Sequence, residues 1–127
     1  MSVALLLVVD DDSDLLILLD AHYSVRGHQV AVSTCCQDGL RLAGEKRPDV
    51  VLLDFCLPKM DGARFIEILR SDALTKDTPV IVMSAAAQSW VATRLAPDPL
   101  VRTVEKPFEF ALLDPLVDEL VAARRSR

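Results

Sequence analysis

The segment ALLLVVDDDSD, residues 4–14, changes abruptly from apolar to acidic, and it decides the fold. Six apolar residues in succession are typical of a short strand that is buried on both faces. Asp10, Asp11 and Asp12 follow at once, although neighbouring carboxylates repel one another unless a cation lies between them. The segment therefore predicts either a solvated turn that caps a helix or part of a cation site.

Length and composition favour one domain. The chain has 127 residues, so we expect residues 1–127 to form a single domain. Hydrophobic residues make up 51% of the chain and charged residues 26%, which is enough apolar material for a core. The formal net charge is −5, and direct nucleic-acid binding is not expected because it needs a clustered basic surface. The basic residues Arg124, Arg125 and Arg127 fit a solvated helix end.

The cysteines and the apolar runs indicate the compartment. Cys35, Cys36 and Cys56 are odd in number and lack the usual metal-ligand spacing, so reduced thiols are expected. The N-terminus shows no signal-peptide pattern, and no apolar run approaches the roughly 18 residues of a membrane span. A cytoplasmic protein that does not bind membranes is therefore predicted.

Strand and helix patterns alternate along the chain. The predicted strands are residues 4–9, 29–33, 50–54, 79–83 and 100–104. The first predicted helix spans residues 15–26 and follows a cap at Ser13 and Asp14. The second opens with the capping-box pair Thr34 and Gln37 and ends before Pro48. The other predicted helices are residues 61–70, residues 85–96 and a last helix from Phe108. Pro115 leaves two possibilities for the last helix: a kink, or a start at Asp114 as cap.

Five apolar strands that are each followed by a helix predict an α/β fold with a doubly wound parallel sheet and helices on both faces. Two strand orders are conceivable, and in both of them ligands bind outside the carboxyl ends of the strands. The polar residues at those ends are Asp10, Asp11, Asp54, Ser84 and Lys106. Carboxylates without His or Cys suit Mg²⁺, and a hydroxyl and an ammonium suit a phosphoryl group.

Each of these residues also has a simpler explanation. Aspartates before a helix are favoured as caps, which is the preferred interpretation for Asp12. Ser84 alone fits a helix cap, and Lys106 alone fits a surface lysine. Their occurrence at successive strand ends favours one shared site.

Four motifs make the resemblance to a known family specific. DFCLPKMDG at residues 54–62, VVDDD at 8–12, SA at 84–85 and KPF at 106–108 resemble the CheY-like receiver domains of response regulators in two-component signalling. The match covers essentially the whole chain. It implies a five-stranded flavodoxin-like sheet with the strand order 2-1-3-4-5.

The resemblance implies a phosphoacceptor and a metal site. Asp54 is expected to accept a phosphoryl group from a phosphohistidine of a sensor histidine kinase or a phosphotransfer protein. Asp11, Asp54 and the backbone carbonyl of Cys56 are expected to hold Mg²⁺, with Asp10 acting through a bound water. Such a domain is a signalling acceptor that assists its own phosphorylation, and it is not a classical enzyme.

The resemblance also assigns the switch. Lys106 and Ser84 are expected to contact phosphoryl oxygens, and the bond from Lys106 to Pro107 is expected to be cis. Movement of Ser84 would then alter the face built by the fourth helix, the fifth strand and the fifth helix, which would bind an unknown downstream effector.

The sequence departs from the family on this output face. Thr103 stands where receivers usually carry an aromatic residue, so it is a candidate switch residue of unusual type. Trp90 fits either an exposed member of the face or a packing residue. Cys56 and Ala86 occupy two positions that influence phosphate lifetime, and neither can orient water well, so slow self-dephosphorylation is expected.

Other functions fit less well. The main alternative is a receiver-like interaction module that works without phosphorylation, and the complete acidic, serine and lysine set argues against it. An aspartyl phosphatase would need a second aspartate at Cys56. A calcium loop fails because Leu15 and Ala21 occupy positions that need Gly and Glu, and dinucleotide binding lacks a glycine-rich turn.

Overall fold

A computed structural model describes residues 3–126, so Met1, Ser2 and Arg127 lie outside the described part of the predicted domain. The strands are β1 (Leu5–Val9), β2 (Gln29–Ser33), β3 (Val50–Asp54), β4 (Val80–Ser84) and β5 (Val101–Glu105). The helices are α1 (Ser13–Val25), α2 (Cys36–Lys46), α3 (Gly62–Ser71), α4 (Gln88–Ala92) and α5 (Phe110–Arg125). All strand pairs are parallel, in the order β2-β1-β3-β4-β5, which confirms the predicted fold.

The two faces of the sheet bury two separate apolar clusters. Side chains alternate along β1, so Leu6 and Val8 lie on one face, and Leu7 and Val9 lie on the other. The first cluster includes residues of α1 and α5, and the second includes residues of α2, α3 and α4. The structure therefore has helices on both faces, as predicted. Within the described residues, no helix combines the length and the hydropathy that crossing a membrane requires.

Strand boundaries differ little from the prediction. The bounds of β2 and β3 agree at both ends, whereas β1, β4 and β5 each begin one residue later than expected. The acidic stretch does cap a helix, which was one of its two predicted roles. The Asp12 side chain accepts hydrogen bonds from the N–H groups of Asp14 and Leu15, so Ser13 and Asp14 are helical residues and not the cap.

Two other helix starts also differ from the prediction. The capping box was wrong, because the N-cap of α2 is Cys35, which makes no side-chain capping hydrogen bond. Helix α5 runs from Phe110 through Pro115, so the alternative start at Asp114 was wrong. Proline has no backbone N–H, so Pro115 leaves one helical hydrogen bond unmade. The packing of α5 on the sheet offsets this loss.

Helix α4 is much shorter than residues 85–96, the predicted range. It spans only Gln88–Ala92, and Val91 is its one buried residue. The Thr93 hydroxyl donates to the carbonyl of Trp90 and occupies an acceptor at the end of the helix. A helix with so little buried surface gains little from packing, so it ends early.

Burial of His28 gives the fold a pH dependence. Nδ1 of His28 accepts a hydrogen bond from the Ala4 N–H at 3.0 Å. Burial lowers the pKa of His28 below 6.5, assisted by the charges of Arg26 and Arg125 and opposed by nearby aspartates. The unfolded chain therefore binds this proton more readily, and stability falls as the pH drops below about 6.5.

We expect the free energy of unfolding to decrease between pH 7.5 and 5.5 by at most about 1.4 kcal/mol per pH unit from this group. Urea unfolding across this range measures the decrease. The His28→Gln variant has no titrating group at position 28, so its free energy of unfolding should decrease less. An identical pH dependence in the variant would contradict this assignment.

Candidate functional site

The candidate site lies at the carboxyl edge of the sheet, where the ends of four strands meet. Asp10 follows β1, Asp54 ends β3, Ser84 ends β4 and Lys106 follows β5. Asp10, Asp54 and Ser84 are buried, and Asp11 is exposed. The parallel arrangement thus places all five of these residues at one edge of the sheet, and it brings the side chains of Asp10, Asp11, Asp54 and Lys106 together.

Three carboxylates form the acidic part of the site. One oxygen from each of Asp10, Asp11 and Asp54 lies within 4.8 Å of the others. Asp10 is fully buried, and both of its oxygens accept hydrogen bonds, one from the Asp12 N–H at 2.9 Å and one from Lys106 Nζ at 2.7 Å. Asp11 makes no hydrogen bond to another described residue and is open to solvent.

Lys106 supplies the positive charge of the site. Its Nζ lies 2.7 Å from Asp10 Oδ2 and 3.5 Å from Asp54 Oδ1. Burial acts to lower the pKa of Lys106, but the hydrogen bond and charge of Asp10, with the charge of Asp54, raise it overall. The bond from Lys106 to Pro107 is cis, as expected, and the lysine side chain points into the site. The pairing of Lys106 with Asp10 was not predicted from the sequence.

Asp54 carries a charge that the fold disfavours. Burial and the nearby charge of Asp10 raise the pKa of Asp54, although Lys106 and the Cys56 N–H, which donates at 3.3 Å, act to lower it. The fold therefore holds Asp54 in an electrostatically unfavourable place. Such a place suits a group that binds a cation or gains a substituent.

The Asp54→Asn variant is therefore expected to be more stable than the wild type. Replacing Asp54 removes a buried charge beside Asp10, and the gain should be about 1 kcal/mol, or a few degrees in Tm. Thermal unfolding without divalent cations measures it, with Asp118→Asn at an exposed position of α5 as a matched control. A lower Tm for Asp54→Asn would contradict the electrostatic account.

The loop after Asp54 is fixed by its own contacts. Phe55 and Leu57 are buried, whereas Cys56 is exposed beside the acidic residues. The Gly62 N–H donates to the Phe55 carbonyl at 2.7 Å, and a Cβ at Gly62 would meet the Phe55 Cα at 3.1 Å. The side chain of Asp61 caps α3. Asp61 and Gly62 thus have structural reasons for their place in the motif.

Ser84 is buried and accepts hydrogen bonds from two other residues. Its Oγ accepts a hydrogen bond from the Ala86 N–H at 3.0 Å, and its carbonyl accepts from the Lys106 N–H at 2.7 Å. A hydroxyl that accepts one hydrogen bond can still donate its O–H to another group.

Thr103 and Trp90 lie on the face that includes β5 and α4. Thr103 is half-buried, and its carbonyl accepts a hydrogen bond from Gln88 Nε2 at 3.0 Å. Trp90 is 43% exposed, and its ring packs edge-on against Phe55 at 5.7 Å between centroids. Both predicted roles of Trp90, exposure on the face and packing, therefore hold in part. The contact of Gln88 was missed, because a single glutamine on a short helix gives no sequence signal.

The donor set fits a hard divalent cation. The three carboxylates offer only oxygen, and Asp11 and Asp54 have oxygens that no strong donor occupies. Both oxygens of Asp10 are already used, so it suits contact through a water better than direct ligation. Mg²⁺ prefers such a site, with one or two carboxylates and several waters.

Comparison with known proteins gives consistent matches. Residues 6–118 match the sequence model of the family described as response regulator receiver domain. The transcriptional activator protein PfeR of Pseudomonas aeruginosa is 42% identical over 120 residues, which cover 91% of this chain and 37% of PfeR. Protein PilH of the same organism is 34% identical over 107 residues, which cover 81% of this chain and 88% of PilH.

A solved structure shows the same fold. The receiver domain of the sensor histidine kinase PA1611 from Pseudomonas aeruginosa, which has a magnesium ion coordinated in its active-site cleft, matches with a TM-score of 0.83. The match has 21% identity and covers 95% of this chain and 99% of that one. The chain spans only 37% of PfeR and 51% of the transcriptional regulatory protein PrrA from Mycobacterium tuberculosis.

Proposed function

The chain belongs to the family of response regulator receiver domains, and we propose that it accepts a phosphoryl group on Asp54 in two-component signalling. The observation that carries the proposal is the convergence of three carboxylates and Lys106 at one sheet edge. A nucleophile, a candidate cation site and a fixed ammonium are together what phosphoryl transfer to a carboxylate needs. We also propose that residues 1–127 form one receiver domain.

We propose that Asp11, Asp54 and the backbone carbonyl of Cys56 hold Mg²⁺, with Asp10 contacting it through water. The exposed carboxylate of Asp11 and the occupied oxygens of Asp10 support this division. The magnesium ion in the PA1611 receiver domain is consistent with it. Bound Mg²⁺ would neutralise charge on the phosphoryl oxygens and lower the repulsion between them and the carboxylate.

In the proposed transfer, a carboxylate oxygen of Asp54 forms a bond to phosphorus. The phosphorus–nitrogen bond of a phosphohistidine breaks, and its electron pair stays on the imidazole nitrogen of the donor. Lys106 attracts a phosphoryl oxygen, for which its 3.5 Å distance from Asp54 is suitable. Ser84 donates its O–H to another phosphoryl oxygen as its segment shifts towards Asp54.

The proposed partners follow from this role. The donor is a sensor histidine kinase or a phosphotransfer protein in the cytoplasm, and the downstream effector binds the face of α4, β5 and α5. PfeR and PrrA are transcriptional regulators, but the net charge of −5 gives no support for direct nucleic-acid or membrane binding by this chain. Because Cys56 and Ala86 offer no group suited to orienting water, we propose slow self-dephosphorylation.

A small donor with a phosphorus–nitrogen bond tests the proposal. We expect phosphoramidate and Mg²⁺ to add one phosphoryl group to the wild type, as measured by intact mass, and EDTA to prevent the addition. Asp54→Asn should stay unmodified, whereas Asp61→Asn, an exposed cap nearby, should react like the wild type. Equal modification of Asp54→Asn, or no reaction with either phosphoramidate or a phosphorylated histidine kinase, would refute it.

A further inference from the structure

Two hydrogen bonds from Gln88 attach the start of α4 to β5. The Gln88 N–H donates to Glu105 Oε1 at 2.9 Å, and the side-chain Nε2 donates to the Thr103 carbonyl at 3.0 Å. We call this pair of bonds the Gln88 clamp. Strand β5 lies at the edge of the sheet, so the clamp joins a short helix to a strand that has one strand neighbour only.

The clamp replaces a missing helix cap. The N-cap of α4 is Ala87, which has no side-chain acceptor, so the Gln88 N–H would otherwise lack a partner. The carboxylate of Glu105 provides that partner from another element. Gln88 and Glu105 are both exposed, and α4 buries only Val91. The clamp therefore contributes more to the position of α4 than to the stability of the whole fold.

The clamp is also connected to the proposed phosphoryl contacts. The Ser84 hydroxyl holds the Ala86 N–H, and Gln88 follows two residues later. Gln88 holds Glu105, which directly precedes Lys106, and the Lys106 N–H donates to the Ser84 carbonyl at 2.7 Å. Covalent and hydrogen bonds thus form a closed ring through these five residues and Ala87. A movement of Ser84 towards Asp54 must change at least one hydrogen bond of this ring, which is the bond from Ala86, the bond from Lys106 or the clamp.

The short side chain of Thr103 is the reason why the clamp matters for contact between α4 and β5. Thr103 lines two grooves with volumes of about 420 and 780 Å³. Both grooves include Gln88, Thr103 and Leu116 in their walls. The polar contacts of Gln88 at these grooves link the Ser84 segment to the strand.

We propose that Gln88 is a positioning residue that, with Glu105, holds the Ser84 segment in the resting arrangement and couples it to β5. This inference rests on the proposed phosphoacceptor function. Breaking the clamp removes an interaction that favours the resting state. The state in which Ser84 contacts a phosphoryl group on Asp54 then becomes easier to reach.

Beryllofluoride, a stable analogue of a phosphoryl group on aspartate, provides the test. Trp90 is the one tryptophan of the chain and lies in α4, so its fluorescence can report binding in the presence of Mg²⁺. Gln88→Ala and Glu105→Ala should each bind beryllofluoride about fivefold more tightly than the wild type, as expected for the loss of one exposed hydrogen bond in the resting state.

Two control variants test whether tighter beryllofluoride binding comes from loss of the Gln88 clamp or from any substitution of an exposed polar residue. Glu105→Gln keeps an oxygen acceptor for the Gln88 N–H and should bind like the wild type. Gln37→Ala, an exposed glutamine in the first turn of α2, should also bind like the wild type. Thermal unfolding of all variants without beryllofluoride checks that each one folds.

The outcomes distinguish the clamp from the phosphoacceptor role. If both alanine variants bind beryllofluoride as the wild type does or more weakly, the proposed role of the clamp is wrong. The proposed function stands in that case, because the wild type still binds the analogue. A fivefold gain that Glu105→Gln shares equally also overturns the proposed role of the clamp. A wild type that binds no beryllofluoride with Mg²⁺ overturns the proposed function and the clamp with it.

Discussion

Lys106→Met is expected to accept phosphoryl groups about 100-fold more slowly than the wild type, and it should also be less stable by about 2 kcal/mol. The rate falls because no other ammonium lies between Asp10 and Asp54 among the described residues. Stability falls because Asp10, which is fully buried, loses the ion pair that compensates its charge. Phosphoramidate kinetics and urea unfolding measure the two effects.

A double variant separates the two roles of Lys106. Replacing Asp10 by Asn removes the buried charge, so Asp10→Asn with Lys106→Met should regain most of the stability but none of the rate. Lys46→Met, at an exposed position of α2, serves as the control. A wild-type rate in Lys106→Met would show that Lys106 has no part in phosphoryl transfer.

Gly39→Ala is expected to destabilise the chain by about 1–3 kcal/mol. A Cβ on Gly39 would lie 2.8 Å from Cγ2 and 3.0 Å from Cγ1 of Val9, and 3.3 Å from the Phe65 ring. Val9 is buried, and its branched side chain has few alternative rotamers, so α2 would have to move away from β1. Urea unfolding measures the loss.

Gly44 gives a control on the same helix. A Cβ on Gly44 would meet no atom within 4 Å, and alanine favours the helix, so Gly44→Ala should stabilise by about 0.5–1 kcal/mol. The two Gly→Ala changes therefore have opposite expected signs. If Gly39→Ala also stabilises the chain, α2 does not pack on β1 as closely as described.

Sequence patterns predicted the fold well where one physical constraint dominates. A strand buried on both faces must be apolar along its length, and β3 (Val50–Asp54) was predicted at both ends. The parallel order then brings strand ends to one edge, which explains why the sequence alone could place Asp10 and Asp54 together. The specific strand order came from the resemblance to receiver domains.

The differences from the prediction arise where packing and contacts in the folded chain override a local sequence pattern. The alanine-rich segment that contains α4 has high helix propensity, yet α4 ends at Ala92 because little of it is buried. The capping-box pattern of Thr34 was overridden in the same way, since the helix begins one residue later. Local patterns predict which helix exists more reliably than where it begins and ends.

Contacts between distant polar side chains could not be predicted at all. Lys106 and Asp10 are 96 residues apart, and only the folded sheet shows that they form an ion pair. The contact from Gln88 to Glu105 depends on the short α4 and on the edge position of β5. Single polar residues carry no periodic signal, so such contacts become visible only in the folded chain.

Mapping the modified residue tests whether Asp54 is the phosphoacceptor. The wild type is treated with phosphoramidate and Mg²⁺, reduced with sodium borohydride, which converts an aspartyl phosphate to homoserine, then digested and sequenced by mass spectrometry. We expect homoserine at position 54 and unchanged aspartate at Asp10, Asp11 and Asp61. Homoserine at another aspartate, with Asp54 unmodified, would contradict the assignment of Asp54 as the phosphoacceptor.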